Sequence, residues 1–214
     1  MALLAMRPAT AAVTLFNVPS HTTSFEAHGD GMVGFTFQVL TTVTVTSVGW
    51  YDHDADGLSQ AYQVGLWSSS TGFQPGQPVE ALLGTSGVTI PAAGTLEGSW
   101  RVLELSTALV LQPGVSYQLA GLDSAASTDP IRYISQVADE YSNEFTSVGQ
   151  FFYHATGTPS EFGVTTNDRF YLASGFQLGP MLFTNVPEPS SCALAAIGLT
   201  AVLLRNRQQS VIRR

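Results

Sequence analysis

Lysine is absent from this 214-residue chain, cysteine occurs once, and only 11% of residues carry a formal charge, against about a quarter in an average soluble domain. The eight arginines face sixteen carboxylates, a net charge of −8. Such a balance gives no electrostatic grip on a phosphate backbone, so a nucleic-acid partner is excluded. With Cys192 alone, an intramolecular disulfide is excluded as well, and stability must come from packing or from an ion. Helical periodicity sustained over three turns is missing between Thr14 and Leu182, which excludes a coiled coil or a long-helix protein. Signatures of familiar chemistries are also missing. His21, His28, His53 and His154 are scattered, with no His-Glu-x-x-His spacing to hold a zinc ion. No Gly-x-Ser-x-Gly elbow presents a nucleophile, and Glu97, Glu104 and Glu161 read as strand and loop acids before they read as a glycosidase pair. The chain reads as a non-enzyme.

What is present is β-structure. Short runs of Val, Thr, Tyr and Phe are separated by clusters drawn from twenty glycines and eleven prolines with Asp and Ser. The pattern predicts strands over 33–39, 41–50, 61–68, 79–90, 99–105, 115–122, 130–136, 149–154 and 169–178. Alternation is plain at Phe35, Phe37 and Val39, at Tyr62, Val64 and Leu66, and at Val115, Tyr117 and Leu119. Gln112-Pro113-Gly114 suits a type II turn and predicts a hairpin between Leu109–Leu111 and Val115–Leu119. With no 40-residue repeat to signal a propeller, the fold class is all-β, an antiparallel β-sandwich of jelly-roll type. A short hydrophobic helix is expected after it.

Charge divides the chain. Residues 20–187 hold three arginines against fifteen carboxylates, a local −12, whereas the last 27 residues hold four arginines against Glu188. Three segments follow. Residues 1–12, ending in Ala9-Thr10-Ala11, have the form of the back half of a secretory signal, with the true start expected upstream. Residues 13–184 are the sandwich domain. In 185–214, Val186-Pro187-Glu188-Pro189-Ser190 is followed by an apolar run over 191–204 and then by an arginine-rich tail over 205–214, in which Arg205 and Arg207 come first. Two prolines stop structure from running in from the body. The apolar run spans about 21 Å as a helix, short of a hydrocarbon core of about 30 Å. Arg205 and Arg207 then serve as a membrane stop, placing the body on the outer side by the positive-inside rule.

This order of box, apolar run and arginines resembles the PEP-CTERM sorting signal. The resemblance implies recognition by exosortase, an integral-membrane transpeptidase with a cysteine-protease-like site, and a transient stay in the inner membrane. The body resembles a β-sandwich domain common among PEP-CTERM proteins. That likeness is carried by Val48-Gly49-Trp50-Tyr51-Asp52, Asp56-Gly57-Leu58, Gln63-Val64-Gly65-Leu66-Trp67, Leu111-x-Pro-Gly-x-x-Tyr117 and Gly179-Pro180. It implies no activity.

Two places in the body are site-like. Asp52, Asp54 and Asp56 followed by Gly57 reproduce the front half of a calcium loop, although position 12 is Gln63 in a strand; the alternative is a solvated acidic turn. Tyr51 and Tyr62 flank that loop and offer flat rings for a sugar, as do Trp50, Trp67 and Trp100, with core packing as the alternative. Asp123, Asp129, Asp139, Glu140 and Glu144 read as a charged surface loop. The functional expectation is a non-catalytic exported protein of the cell surface or exopolysaccharide matrix that binds carbohydrate, with a secreted hydrolase acting on matrix polysaccharide as the competing reading.

Overall fold

The computed structural model describes residues 11–16, 24–26, 31–123, 127–129, 131–134, 143–153, 162–163 and 176–186. The chain forms two compact units, Thr14–Thr184 and Met1–Val13 together with Asn185–Arg214; the core lies in the first. The signal remnant up to Thr10, the box beyond Val186, the apolar run and the arginine tail all lie outside the described residues. Among the described residues no helix is long and apolar enough to cross a membrane.

Fourteen strands are described. They are β1 (Ala11–Thr14), β2 (Ser24–Glu26), β3 (Gly31–Val39), β4 (Val43–Tyr51), β5 (Tyr62–Ser69), β6 (Glu80–Ala81) and β7 (Val88–Ile90). The rest are β8 (Thr95–Glu97), β9 (Trp100–Leu111), β10 (Ser116–Asp123), β11 (Ile131–Ile134), β12 (Thr146–Tyr153), β13 (Phe176–Leu178) and β14 (Pro180–Val186). One sheet runs β1-β14-β4-β9-β8 and the other β12-β3-β10-β5-β6, with β7 also on β5; β13-β11-β2 make a third, small sheet. The fold is all-β and antiparallel, two curled sheets packed face to face, as the alternating pattern predicts.

The alternation becomes a core because side chains of period two meet from both sheets. From β3, Val33, Phe35, Phe37 and Val39 are buried, and from β10 their partners Tyr117 and Leu119. Phe16 sets its ring edge-on to Phe35 and Phe37, with centroids 4.8 and 4.9 Å away. Leu15 beside it, also fully buried, donates its N–H to the Leu182 carbonyl at 2.8 Å. Between the sheets, Trp50 of β4 stacks on Tyr62 of β5, with centroids 4.1 Å apart and planes 10° from parallel. Two glycines admit the indole. A Cβ on Gly121 would stand 2.2 Å from Trp50 Cζ3, and one on Gly179 2.8 Å from Cη2.

Three sequence expectations are corrected. The strand over 79–90 is two short strands, because Gly84 and Gly87 take left-handed φ values of 80° and 61° and break the extended run. The turn at Gln112-Pro113-Gly114 does form, with Gly114 at φ 80°, but β9 and β10 join different sheets, so it is an arch across the sandwich and not a hairpin. The Tyr117 hydroxyl pins that arch by accepting the Gln112 N–H at 2.7 Å and donating to the Gln112 carbonyl at 3.3 Å, the geometry of a tyrosine corner. Asp123, read as part of a surface loop, is 1% exposed at the end of β10. β1, β2, β8 and β14 were not legible, three of them being only three or four residues long.

Because Gly121 lies under the indole, Gly121→Ala is expected to cost about 1–3 kcal/mol through overpacking. Urea unfolding followed by tryptophan fluorescence checks this, the midpoint falling at unchanged slope.

Candidate functional site

β4 ends by delivering Asp52 to one end of the sandwich. The Tyr51 N–H donates to the Gly179 carbonyl and the Asp52 N–H to the Ser99 carbonyl, both at 2.9 Å. Strand alternation puts the Asp52 side chain on the same side as Trp50, and Arg101, the register partner of Trp50 on β9, faces that side too. There Arg101 Nε donates to Asp52 Oδ2 at 2.6 Å, Nη1 to the Gly94 carbonyl at 3.1 Å and Nη2 to the Ala55 carbonyl at 3.0 Å. The Gly57 N–H adds a bond to Asp52 Oδ2 at 3.3 Å. One guanidinium therefore ties β9, the turn before β8 and the 52–57 loop together. Ala55 is held in the left-handed region at φ 60°, a conformation costing a residue with a Cβ about 1–2 kcal/mol, and its carbonyl is one of the groups that Arg101 takes.

Asp54 and Asp56 are exposed, and one carboxylate oxygen from each member of the Asp52, Asp54, Asp56 triplet lies within 4.8 Å of the others. A hydrogen bond from Asp54 and then its charge push the Asp56 carboxyl above the ordinary carboxylate value of 3.8. A carboxyl raised in the folded state binds its proton more readily there than in the unfolded chain. Its stabilising contribution is complete below 3.8 and disappears as pH climbs through the raised folded value.

A second polar network flanks the loop. Asp129 Oδ2 accepts the Tyr62 hydroxyl at 2.7 Å, the Ser59 N–H at 2.8 Å and the Ser59 hydroxyl at 2.9 Å. Tyr62 also bonds Ser127. Burial, foremost, pushes the Tyr62 phenol well above its ordinary value of 10.0, so it stays a neutral donor. This network joins the chain after the acidic loop to residues 127–129.

No protein-family model matches the chain. Nor does any curated protein. The site is therefore read from its own geometry.

Tyr51 and Tyr62, the predicted sugar platforms, are 5% and 0% exposed. Tyr62 gives one face to Trp50, and Tyr51 meets the edge of Trp100 at 5.3 Å; neither has an open face for a pyranose ring. Trp50, Trp67 and Trp100 are buried as well. His53 stands exposed beside Tyr51, whereas His21, His28, His154, Asp139, Glu140 and Glu161 lie outside the described residues. Of the sorting box, only the Val186 backbone is described, as the end of β14.

Calcium needs six to eight oxygen ligands. The triplet supplies three carboxylates, but Asp52 Oδ2 and the Ala55 carbonyl are taken by Arg101, and Gln63 at position 12 points its amide N–H to the Ser86 carbonyl. The arrangement fits a turn whose counter-charge is Arg101 better than a calcium loop. Sequence reasoning missed Arg101, although a signal was there: it is the one arginine between Arg7 and Arg132 in a lysine-free chain, and it stands in an apolar Trp-x-Val-Leu run.

Two outcomes follow from the clamp. Arg101→Met leaves a buried, unpaired Asp52 and is expected to cost about 3–5 kcal/mol, whereas melting of the parent protein in calcium and in chelator gives superimposable curves. Asp54→Asn is expected to bring the Asp56 titration, followed by carboxyl chemical shift, back down toward 3.8.

Proposed function

We propose that this chain is a non-catalytic exported protein, sorted by exosortase through its C-terminal tail and released to the cell surface or the exopolysaccharide matrix. The observation that carries the reading is the order of the tail: Val186-Pro187-Glu188-Pro189-Ser190, the apolar run 191–204, then Arg205 and Arg207. Each part has a physical job. The box holds two prolines, which lack an N–H and so cannot extend the β14 ladder. The apolar run is too short for a comfortable permanent span, which suits an anchor meant to be removed. The arginines hold the tail's end on the cytoplasmic side.

The body supports the same reading. Successive strands β3, β4 and β5 alternate between the two sheets, as do β9 and β10, which supports a sandwich of jelly-roll type. Its local charge of −12 keeps such a body soluble and apart from other anionic polymers. Matrix polysaccharide is the partner this destination implies, and the contact would be made by residues other than the buried Tyr51 and Tyr62.

Because β14 runs to Val186, a chain ending there keeps its last strand. Truncation after Val186 is expected to give a soluble β-rich protein with an unchanged melting temperature. In the producing cell, the truncation or a Pro187→Ala, Pro189→Ala double variant is expected to lose surface delivery. A truncated body that unfolds, or full surface delivery without the box, contradicts the proposal. Degradation of purified matrix polysaccharide by the body would replace it with the hydrolase reading.

A further inference from the structure

β14 is seven residues long, and its described register with β4 covers Pro180–Phe183. Thr184–Val186 lie beyond that register. On its other edge β14 has β1 as its neighbour. The two strands are joined at the Leu15 N–H, which donates to the Leu182 carbonyl at 2.8 Å. Four residues of β1 precede Leu15, and four residues of β14 follow Leu182. Antiparallel pairing outward from this bond matches Ala11–Thr14 to Phe183–Val186 residue for residue, whereas parallel pairing would carry Ala11 back past Pro180, where β14 begins. Ala11 then stands beside Val186, and one compact unit, Met1–Val13 with Asn185–Arg214, holds them both.

These two residues border the two processing signals read in the sequence. Ala11 closes Ala9-Thr10-Ala11, and Val186 opens Val186-Pro187-Glu188-Pro189-Ser190. A cut after Ala11 leaves Ala12, Val13 and Thr14 to keep the pairing. Pro187 and Pro189 lack the N–H that a ladder needs, so Thr184–Val186 is the last stretch before the prolines that a strand partner can hold.

We propose that β1 is a positioning strand for the sorting box. By pairing with the end of β14 it sets where Pro187-Glu188-Pro189 leaves the sheet, and exosortase takes the box at that place and not on a free tether. This rests on the sorting reading. It makes a docked N-terminal strand a condition for processing at the C-terminus, so that a chain whose β1 has not paired keeps its tail.

Two full-chain variants test it. Val13 has the parity of Leu15, so its N–H faces β14; Val13→Pro removes that donor, and Val13→Ala keeps it. Hydrogen exchange at the Thr184–Val186 amides is expected to rise about tenfold or more in Val13→Pro, with the β3 and β10 amides unchanged, and to match the parent in Val13→Ala. The second variant leaves β1 intact and inserts Gly-Ser-Gly-Ser-Val after Val186, so that a whole box hangs on a flexible tether. Intact mass in the producing cell is expected to show the tail retained about tenfold more in Val13→Pro and in the insertion variant than in the parent, while Val13→Ala is processed normally. An insertion variant processed like the parent overturns the proposal and leaves the sorting reading standing. Unchanged exchange at Thr184–Val186 in Val13→Pro also overturns it, because β1 then does not hold them. A parent that keeps its own tail overturns the sorting reading, and the role of β1 falls with it.

Discussion

Trp50 stacked on Tyr62 is the contact on which the rest of the sandwich depends. One ring comes from each sheet, and 4.1 Å between centroids fixes how far apart the sheets stand at that end. Burying two large aromatic side chains removes much of their 150–250 Å² each from water, and the ring pair adds about 0.5–1.5 kcal/mol beyond area. The consequences run outward in both directions. Two residues after Trp50 the chain reaches Asp52, whose carboxylate can be buried only because Arg101, the register neighbour of Trp50, faces the same side. From Tyr62, the hydroxyl emerges from the core and reaches Asp129, anchoring a segment 67 residues away.

Scarcity of charge makes the few charges specific. In a lysine-rich protein, an acidic loop would be offset diffusely by mobile ammonium groups. Here the Asp52–Asp56 loop is served by a single planar guanidinium that makes three directed hydrogen bonds at once, a task to which arginine and not lysine is suited. The same scarcity shapes the surface of β9, where Glu104 is the only charge along an edge of leucine, serine and threonine. Natural edges are commonly guarded by charge or by a bulge; this one carries Glu104 and the slipped register at Leu105–Ala108.

Strands with period-two patterning were legible, and so was the all-β class, because Phe35, Phe37, Val64, Leu66 and Tyr117 each declare a buried face locally. Connectivity was not. Gln112-Pro113-Gly114 specifies a tight turn, but whether the flanking strands pair with each other or part to separate sheets is decided by distant partners, here β4 for β9 and β3 with β5 for β10. The acidic triplet was legible as a cluster, while its partner lay 49 residues away on another strand and left no local trace beyond one arginine. Aromatic residues near an acidic turn read equally as a sugar platform or as core, and only burial separates the two. Many of the residues behind the family resemblance, Trp50, Tyr51, Leu58, Trp67 and Tyr117 among them, are core or turn residues. They speak for a scaffold and are silent on activity.

The proposed function accordingly rests on the tail, where the order of box, apolar run and arginines is read from the sequence. The compact unit that holds the core ends at Thr184, and the twenty-eight residues after Val186 are proposed as an address on their sequence alone. The intact mass of the protein recovered from the surface or matrix fraction of its own cell tests this most directly. The account predicts a chain that begins at or after Ala12 and ends within or near the Val186–Ser190 box. A mass that still includes the apolar run and Arg205 to Arg214 would contradict it.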